Sequence, residues 1–187
     1  DVSTAHEIQI GDRNDSAETQ ADRVADSVVA DSGLPHSVEN LGRDIAATAS
    51  TGIKLYRDAR GRAGGARPAP ASAVQKIFAM KGRGMPLTQQ QRAYFEPRLG
   101  QDLSVVRLHT GETAATVSRD ISARAFAFGT DIGFAQGEYR PDSDPGRRLL
   151  AHELVHTVQH SLAGGTAMTL RRTPGDGDTT ATEADTD

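Results

Sequence analysis

Apolar positions recur at two periods along this chain, and the change between them separates helices from strands. Leu149, Leu150, Leu154, Val155 and Val158 fall at helical spacing behind Asp144-Pro145, a start signal with Asp as N-cap and Pro at the first helical position. Asp15 to Ala30 shows the same period. Ala17, Ala21, Val24, Ala25 and Val28 share one face there, and Asp15 or Ser16 can cap the start. A weaker helical pattern covers Pro35 to Ser50, and a short helix is predicted for Ser72 to Met80, broken by Gly82 to Pro86. Thr88 caps a helix over Gln89 to Glu96 that ends near Pro97 and Gly100. Leu103 to His109 alternates as a strand does, with Val105, Arg107 and His109 on one face and Val106 and Leu108 on the other. Thr110 then caps a helix running to about Ala123. Ala125 to Ala135 reads as two short strands turning at Gly129-Thr130-Asp131. This order predicts an α+β domain: helices with a small, mostly antiparallel sheet.

Composition sharpens the boundaries. Hydrophobic residues are only 36% of the 187, which points to a compact portion flanked by looser segments. The expected division is a helical segment over 1–53, a basic flexible linker with one short helix over 54–84, a compact core over 85–170, and a disordered acidic tail over 171–187. The linker rests on eight Lys or Arg against one acid between Lys54 and Arg83, with Gly, Ala and Pro from Arg60 to Pro70. Such a segment can touch nucleic acid, but it lacks interleaved aromatic residues, and a solvated linker is the better expectation. The chain has no cysteine, which excludes a thiolate metal site and disulfides. No apolar run approaches the ~18–20 residues of a membrane span, and no secretory signal stands at the start. Because it opens on Asp, a processed or partial chain is expected.

His152-Glu153-Leu154-Val155-His156 reads as H-E-x-x-H and carries the chemistry. Residues four apart on a helix lie one above the other, so both imidazoles can reach one Zn²⁺. Glu153 between them is placed as general base for a water whose pKa zinc lowers from about 15.7 toward roughly 7. Catalytic zinc usually takes three protein ligands, so a third is needed. His160 shares the helix face but lies about 6 Å along the axis from His156. His109, at the end of its strand, is a candidate ligand, an orienting donor or a substrate contact. Glu18 and Asp22 are four apart on the N-terminal helix, which allows Glu18 to bind metal while Asp22 accepts the free N–H of a ligating histidine. An acidic residue near a helix N-terminus is also favourable with no ligand role. The residues alone leave both readings of Glu18 open.

The chain resembles the core domain of toxins and cargo proteins of extracellular contractile injection systems. The match runs through Pro97 to Thr110, Ala123 to Phe126, Gly129 to Ile132 with Phe134, Tyr139 with Pro141, and Gly146 to Gln159, about Met85 to His160 in all. The helix Gln20 to Asp26 is similar to one that often precedes this domain. Where the family usually has a second Gln after Gln159, this chain has His160. The resemblance implies a zincin-like zinc metallopeptidase at the head of injected effectors, made in the cytoplasm and delivered without a signal peptide. Glu18-x-x-x-Asp22 also looks like the third-ligand helix of CAAX-type zinc proteases, there placed after the histidine motif. That likeness implies metal held by His152, His156 and Glu18, with Asp22 orienting a histidine and Glu153 as base. Tyr139 and His109 are then candidate oxyanion donors. A peptide or protein substrate is expected, including the chain's own segments at Gly164-Gly165 and Leu170 to Thr173. It would be added to the edge of the 125–135 hairpin. The alternative is a non-catalytic module that docks cargo onto the injection machine and uses metal only for its fold.

Overall fold

The computed structural model describes residues 9–10, 16–30, 54–59 and 67–162. In chain order these form β1 (Gln9–Ile10), α1 (Ser16–Val29), β2 (Lys54–Ala59), β3 (Arg67–Pro68), α2 (Ala71–Met80), β4 (Met85–Pro86) and α3 (Gln89–Leu99). There follow β5 (Arg107–His109), α4 (Glu112–Asp120), β6 (Ala123–Phe128), β7 (Asp131–Phe134) and α5 (Asp144–Leu162). The strands make one mixed sheet in the order β3-β1-β2-β6-β7-β5-β4. β6 and β7 are an antiparallel hairpin, β2 runs antiparallel to β6, and β5 runs parallel to β7. The architecture is therefore α+β.

Alternation along the strands sends two sets of side chains to opposite faces. Leu108, Ala125, Ala127, Ile132 and Phe134 join a core with Ala21 and Val28 of α1, Phe95 and Leu99 of α3, and Leu150, Leu154 and Val158 of α5. Phe126 and Phe128 join the other core, with Ile77 of α2 and Val117 and Ile121 around α4. Every residue from Leu149 to Gln159 is buried, as expected of a helix covered on all sides.

The α5 start is built by Ser143, whose hydroxyl accepts from Gly146 N at 3.2 Å. This is one residue earlier than the Asp144 cap expected from the sequence, because Asp144 already opens the first turn. A Cβ at Gly146 would lie 2.0 Å from the Arg140 carbonyl oxygen, so only glycine lets that loop seat the helix. α3 carries the capping box of Thr88 and Gln91 and ends at Gly100 in the left-handed region, φ 63°. The hairpin turns through Gly129, φ 63°.

Several expectations shift. Lys54–Ala59, assigned to a flexible linker, is strand β2 and pairs with β6 through Tyr56↔Ala127 to Ala59↔Ala123. The basic, small-residue composition of the wider segment masked six residues of extended backbone. The Leu103–His109 strand shortens to Arg107–His109, because Asp102 accepts from Ser104 N at 2.8 Å and turns the chain there. Thr110 does not cap α4; Gly111 holds that position with no side-chain cap. α4 ends at Asp120 rather than near Ala123, since Ser122 takes φ 56° and Ala123 already belongs to β6. The proposed helix over 35–50, most of the 60–70 linker and the tail over 171–187 lie outside the described residues.

Candidate metal centre

The two histidines of α5 meet α1 across the helix pair. One turn separates His152 from His156, and their rings stand edge to face with centroids 4.7 Å apart. Their Nε2 atoms are 3.1 Å apart. Glu18 of α1 reaches both: its Oε2 lies 3.2 Å from His152 Nε2 and 3.4 Å from His156 Nε2. The sequence separation is large, so nothing local forces this meeting. It follows from α1 burying Ala17, Ala21, Ala25 and Val28, which turns Glu18 inward with them. Glu18 is 3% exposed, His152 4%, and His156 and Glu153 0%, so the site is sealed from solvent.

The outer nitrogens also have polar neighbours. His152 Nδ1 lies 3.2 Å from Asp22 Oδ1. Arg148 bridges the same carboxylate, at 3.2 Å, to Asp26, tying α5 to α1 one turn before the motif. His156 Nδ1 lies 2.7 Å from Gln159 Oε1. Gln159 Nε2 donates to Ala17 O at 3.1 Å and to Gln20 Oε1 at 2.9 Å.

The electrostatics follow from this packing. Burial works against ionisation of Glu18, but its contacts with His152 and His156 outweigh that and bring its carboxyl down to about 2. The nearness of His152 is the leading cause that brings Asp22 to about 2. Burial pushes His152 down, yet Asp22 and Glu18, with the charge of Glu153, carry it up to about 10. His156 is held below its ordinary value, first by burial. The two imidazoles are thus pushed in opposite directions, His152 toward its protonated form and His156 toward its neutral one.

These residues fit a divalent ion. Glu18, His152 and His156 each offer a ligand atom, all within 4.8 Å of one another, and so lie close enough to hold a metal. Glu18 Oε1 is buried with no hydrogen-bond partner among the described residues. With zinc–ligand bonds of about 2.0–2.1 Å, two ligands of a tetrahedral ion stand about 3.3–3.4 Å apart. The three separations here, 3.1, 3.2 and 3.4 Å, are the edges of such a set. Two histidines and one carboxylate are also a donor set found in hydrolytic zinc sites.

Of the residues singled out in the sequence, His152, His156, Glu18 and Asp22 come together, and Glu153 sits among them on α5. His109 does not. Leu108 enters the core beneath α5, so its neighbour His109 takes the opposite face, where Nε2 meets Asp131 Oδ1 at 2.8 Å. Tyr139 commits its hydroxyl to Gln91 Nε2 at 2.6 Å and its ring to Phe134, at a cavity of about 390 Å³ also lined by Tyr94, Phe95 and Arg147. His160 lies toward the hairpin tip, its Nε2 3.7 Å from where a Gly129 Cβ would stand. The hairpin offers no edge for an added strand, because β6 is flanked by β2 and β7, and β7 by β6 and β5. Gln159 was the residue missed. Its signal was its place three after His156 on the same helix, within bonding reach.

The comparisons bear on the core. Residues 86–164 match the family model of the eCIS core domain, that of extracellular contractile injection systems. This region is similar to the eCIS core domain. The match takes in α3 to α5 and with them His152, Glu153 and His156, and supports an association with contractile injection system effectors. α1, which brings Glu18, lies before the matched stretch. No curated protein and no solved structure matches the chain. No helix among the described residues is long and apolar enough to cross a membrane.

Proposed function

We propose that this chain is a zincin-like zinc peptidase domain of a contractile injection system effector. The convergence of Glu18 on His152 and His156, beside the buried Glu153, carries this reading. A bound zinc ion supplies Lewis acidity and makes water a nucleophile near neutral pH. His152, His156 and Glu18 would hold it. Asp22 and Gln159 orient the two imidazoles through Nδ1, leaving Nε2 to face the ion. Glu153 would serve as general base toward water and then as acid toward the leaving amine. Peptide entry requires α1 to move, since all four residues are sealed. The substrate class is a peptide or protein, the chain's own flanking segments included.

The sealing itself favours a second reading, in which the ion only fastens α1 to the core of a loading module. Catalytic zinc sites keep an open position, and structural ones are closed. Glu153→Gln separates the two. It keeps shape and removes the base, so the peptidase reading expects metal content unchanged and cleavage lowered ~10²–10⁴-fold. The assay is mass spectrometry of the chain and of a cargo fusion after Arg172. Equal cargo loading by both forms, with neither cut while zinc is bound, favours the docking role.

A further inference from the structure

Gln159 stands between the metal ligand His156 and the helix that supplies Glu18. Its amide can be oriented from chemistry alone. The Ala17 carbonyl oxygen is an acceptor only, and it lies 3.1 Å from one terminal atom of Gln159. That atom must therefore be the amide nitrogen, which also donates to Gln20 Oε1 at 2.9 Å. The opposite terminus is then the carbonyl oxygen, 2.7 Å from His156 Nδ1. A carbonyl oxygen only accepts, so Nδ1 must carry hydrogen, and the neutral ring keeps its lone pair on Nε2. Nε2 is the atom that faces Glu18 and His152.

We propose that Gln159 is a positioning residue that lets the docking of α1 set the tautomer of His156. The proposal rests on the metal reading above for its consequence at the ion, but the tautomer itself exists in the metal-free chain. Its physical content is a relay of two hydrogen-bonded steps. The backbone of α1 fixes the amide, and the amide fixes the imidazole. A chain in which α1 is displaced leaves Gln159 free to rotate its amide, and His156 can then place hydrogen on Nε2, where it blocks coordination. The residue that helps to hold α1 thus also prepares the second ligand. Gln159 buries 96% of its surface, being 4% exposed, so solvent does not substitute readily for either partner.

The test uses ¹⁵N-labelled full chain, with the His156 ring nitrogens read by long-range ¹H–¹⁵N correlation at pH 8, before and after adding Zn²⁺. Wild type should show hydrogen on Nδ1 in both states. Gln159→Leu, which removes donor and acceptor, should give a tautomer mixture without metal and a 10–100-fold loss of Zn²⁺ affinity, the usual cost of losing an orienting partner. Gln159→Glu keeps the acceptor and loses the donors. It should hold the Nδ1–H tautomer with Zn²⁺ affinity within a few-fold of wild type, while amide exchange of residues 16–30 speeds up. Hydrogen on Nε2 in the wild-type chain overturns the proposal, as does a Gln159→Leu chain with unchanged tautomer and affinity. If Gln159→Leu does not fold, the wild-type tautomer and the Gln159→Glu pair of readouts still decide. Absence of Zn²⁺ binding by wild type, with Nδ1–H intact, removes the metal reading and leaves the relay standing.

Discussion

At the scale of single residues, the candidate metal centre would set protons against a cation for the same atoms. In the metal-free chain the Glu18–His152 pair contributes stability within a window. Glu18 is depressed from its ordinary 4.5 to about 2, so its contribution is present above about 4.5 and lost as pH falls toward 2. His152 is raised from 6.5 to about 10, so its side is complete below about 6.5 and lost as pH rises toward 10. Thermal melts of metal-free protein should therefore peak between these limits, and a Glu18→Gln chain should show a flatter profile. A metal must displace the proton on His152. Affinity should then rise with pH from 6 to 8, with about one proton released per ion near pH 7. Calorimetry in buffers of different ionisation enthalpy checks this, and a proton count of zero would contradict it. The histidine pair and Glu153 were legible because four-residue spacing fixes a helix face. The phase of Glu18 was equally legible, since Ala17, Ala21, Ala25 and Val28 mark the buried side of its helix. The place of His109 was also there to be read. Its apolar neighbours Val106 and Leu108 claim the core-facing side, and alternation sends His109 away from it.

At the scale of elements, α1 and α5 form the structure that matters. They share an apolar contact through Ala21, Ala25, Leu150 and Leu154, an ion-pair link from Arg148 to Asp22 and Asp26, and the Glu18–His152–His156 cluster. The parts differ in weight. Arg148 is partly exposed, and such pairs are worth about 0–1 kcal/mol, so Arg148→Ala should lower stability by no more than about that. Leu154 is fully buried, and Leu154→Ala should cost about 2–5 kcal/mol in urea unfolding of the metal-loaded chain. A chelator should speed amide exchange in 16–30 while leaving β6 and β7 protected, because the cluster joins α1 to the core and is no part of the sheet. What the sequence hid here was β2. Its six residues sit in a stretch dominated by Arg, Gly, Ala and Pro, and pairing with a distant strand, not local propensity, makes them extended.

At the scale of the whole molecule, the sheet is a divider. One face carries α1, α3 and α5 with the cluster; the other carries α2 and α4 with the His109–Asp131 pair. The α+β class was readable from the order of periods. The mixed topology was not, since β5 pairs in parallel with β7 across an intervening helix and strand, a long-range choice that no local pattern specifies. The region that matches the eCIS core model carries His152, Glu153 and His156, and the helix before it carries Glu18. Removing residues 1–30 should therefore leave a core that binds Zn²⁺ at least 100-fold more weakly. Chelator competition measures this, and undiminished affinity would mean that Glu18 is not a ligand.

The most direct measurement is metal content with ligand assignment on one sample. Protein purified without chelator is analysed for transition metals, and the zinc edge is then examined by X-ray absorption in wild type, Glu18→Ala and His156→Ala. The expected result is about one zinc per chain in wild type, with two nitrogen ligands and carboxylate oxygen near 2.0–2.2 Å, and loss of metal in both variants. Wild type that holds no transition metal and takes up none when zinc is supplied would contradict the metal centre itself.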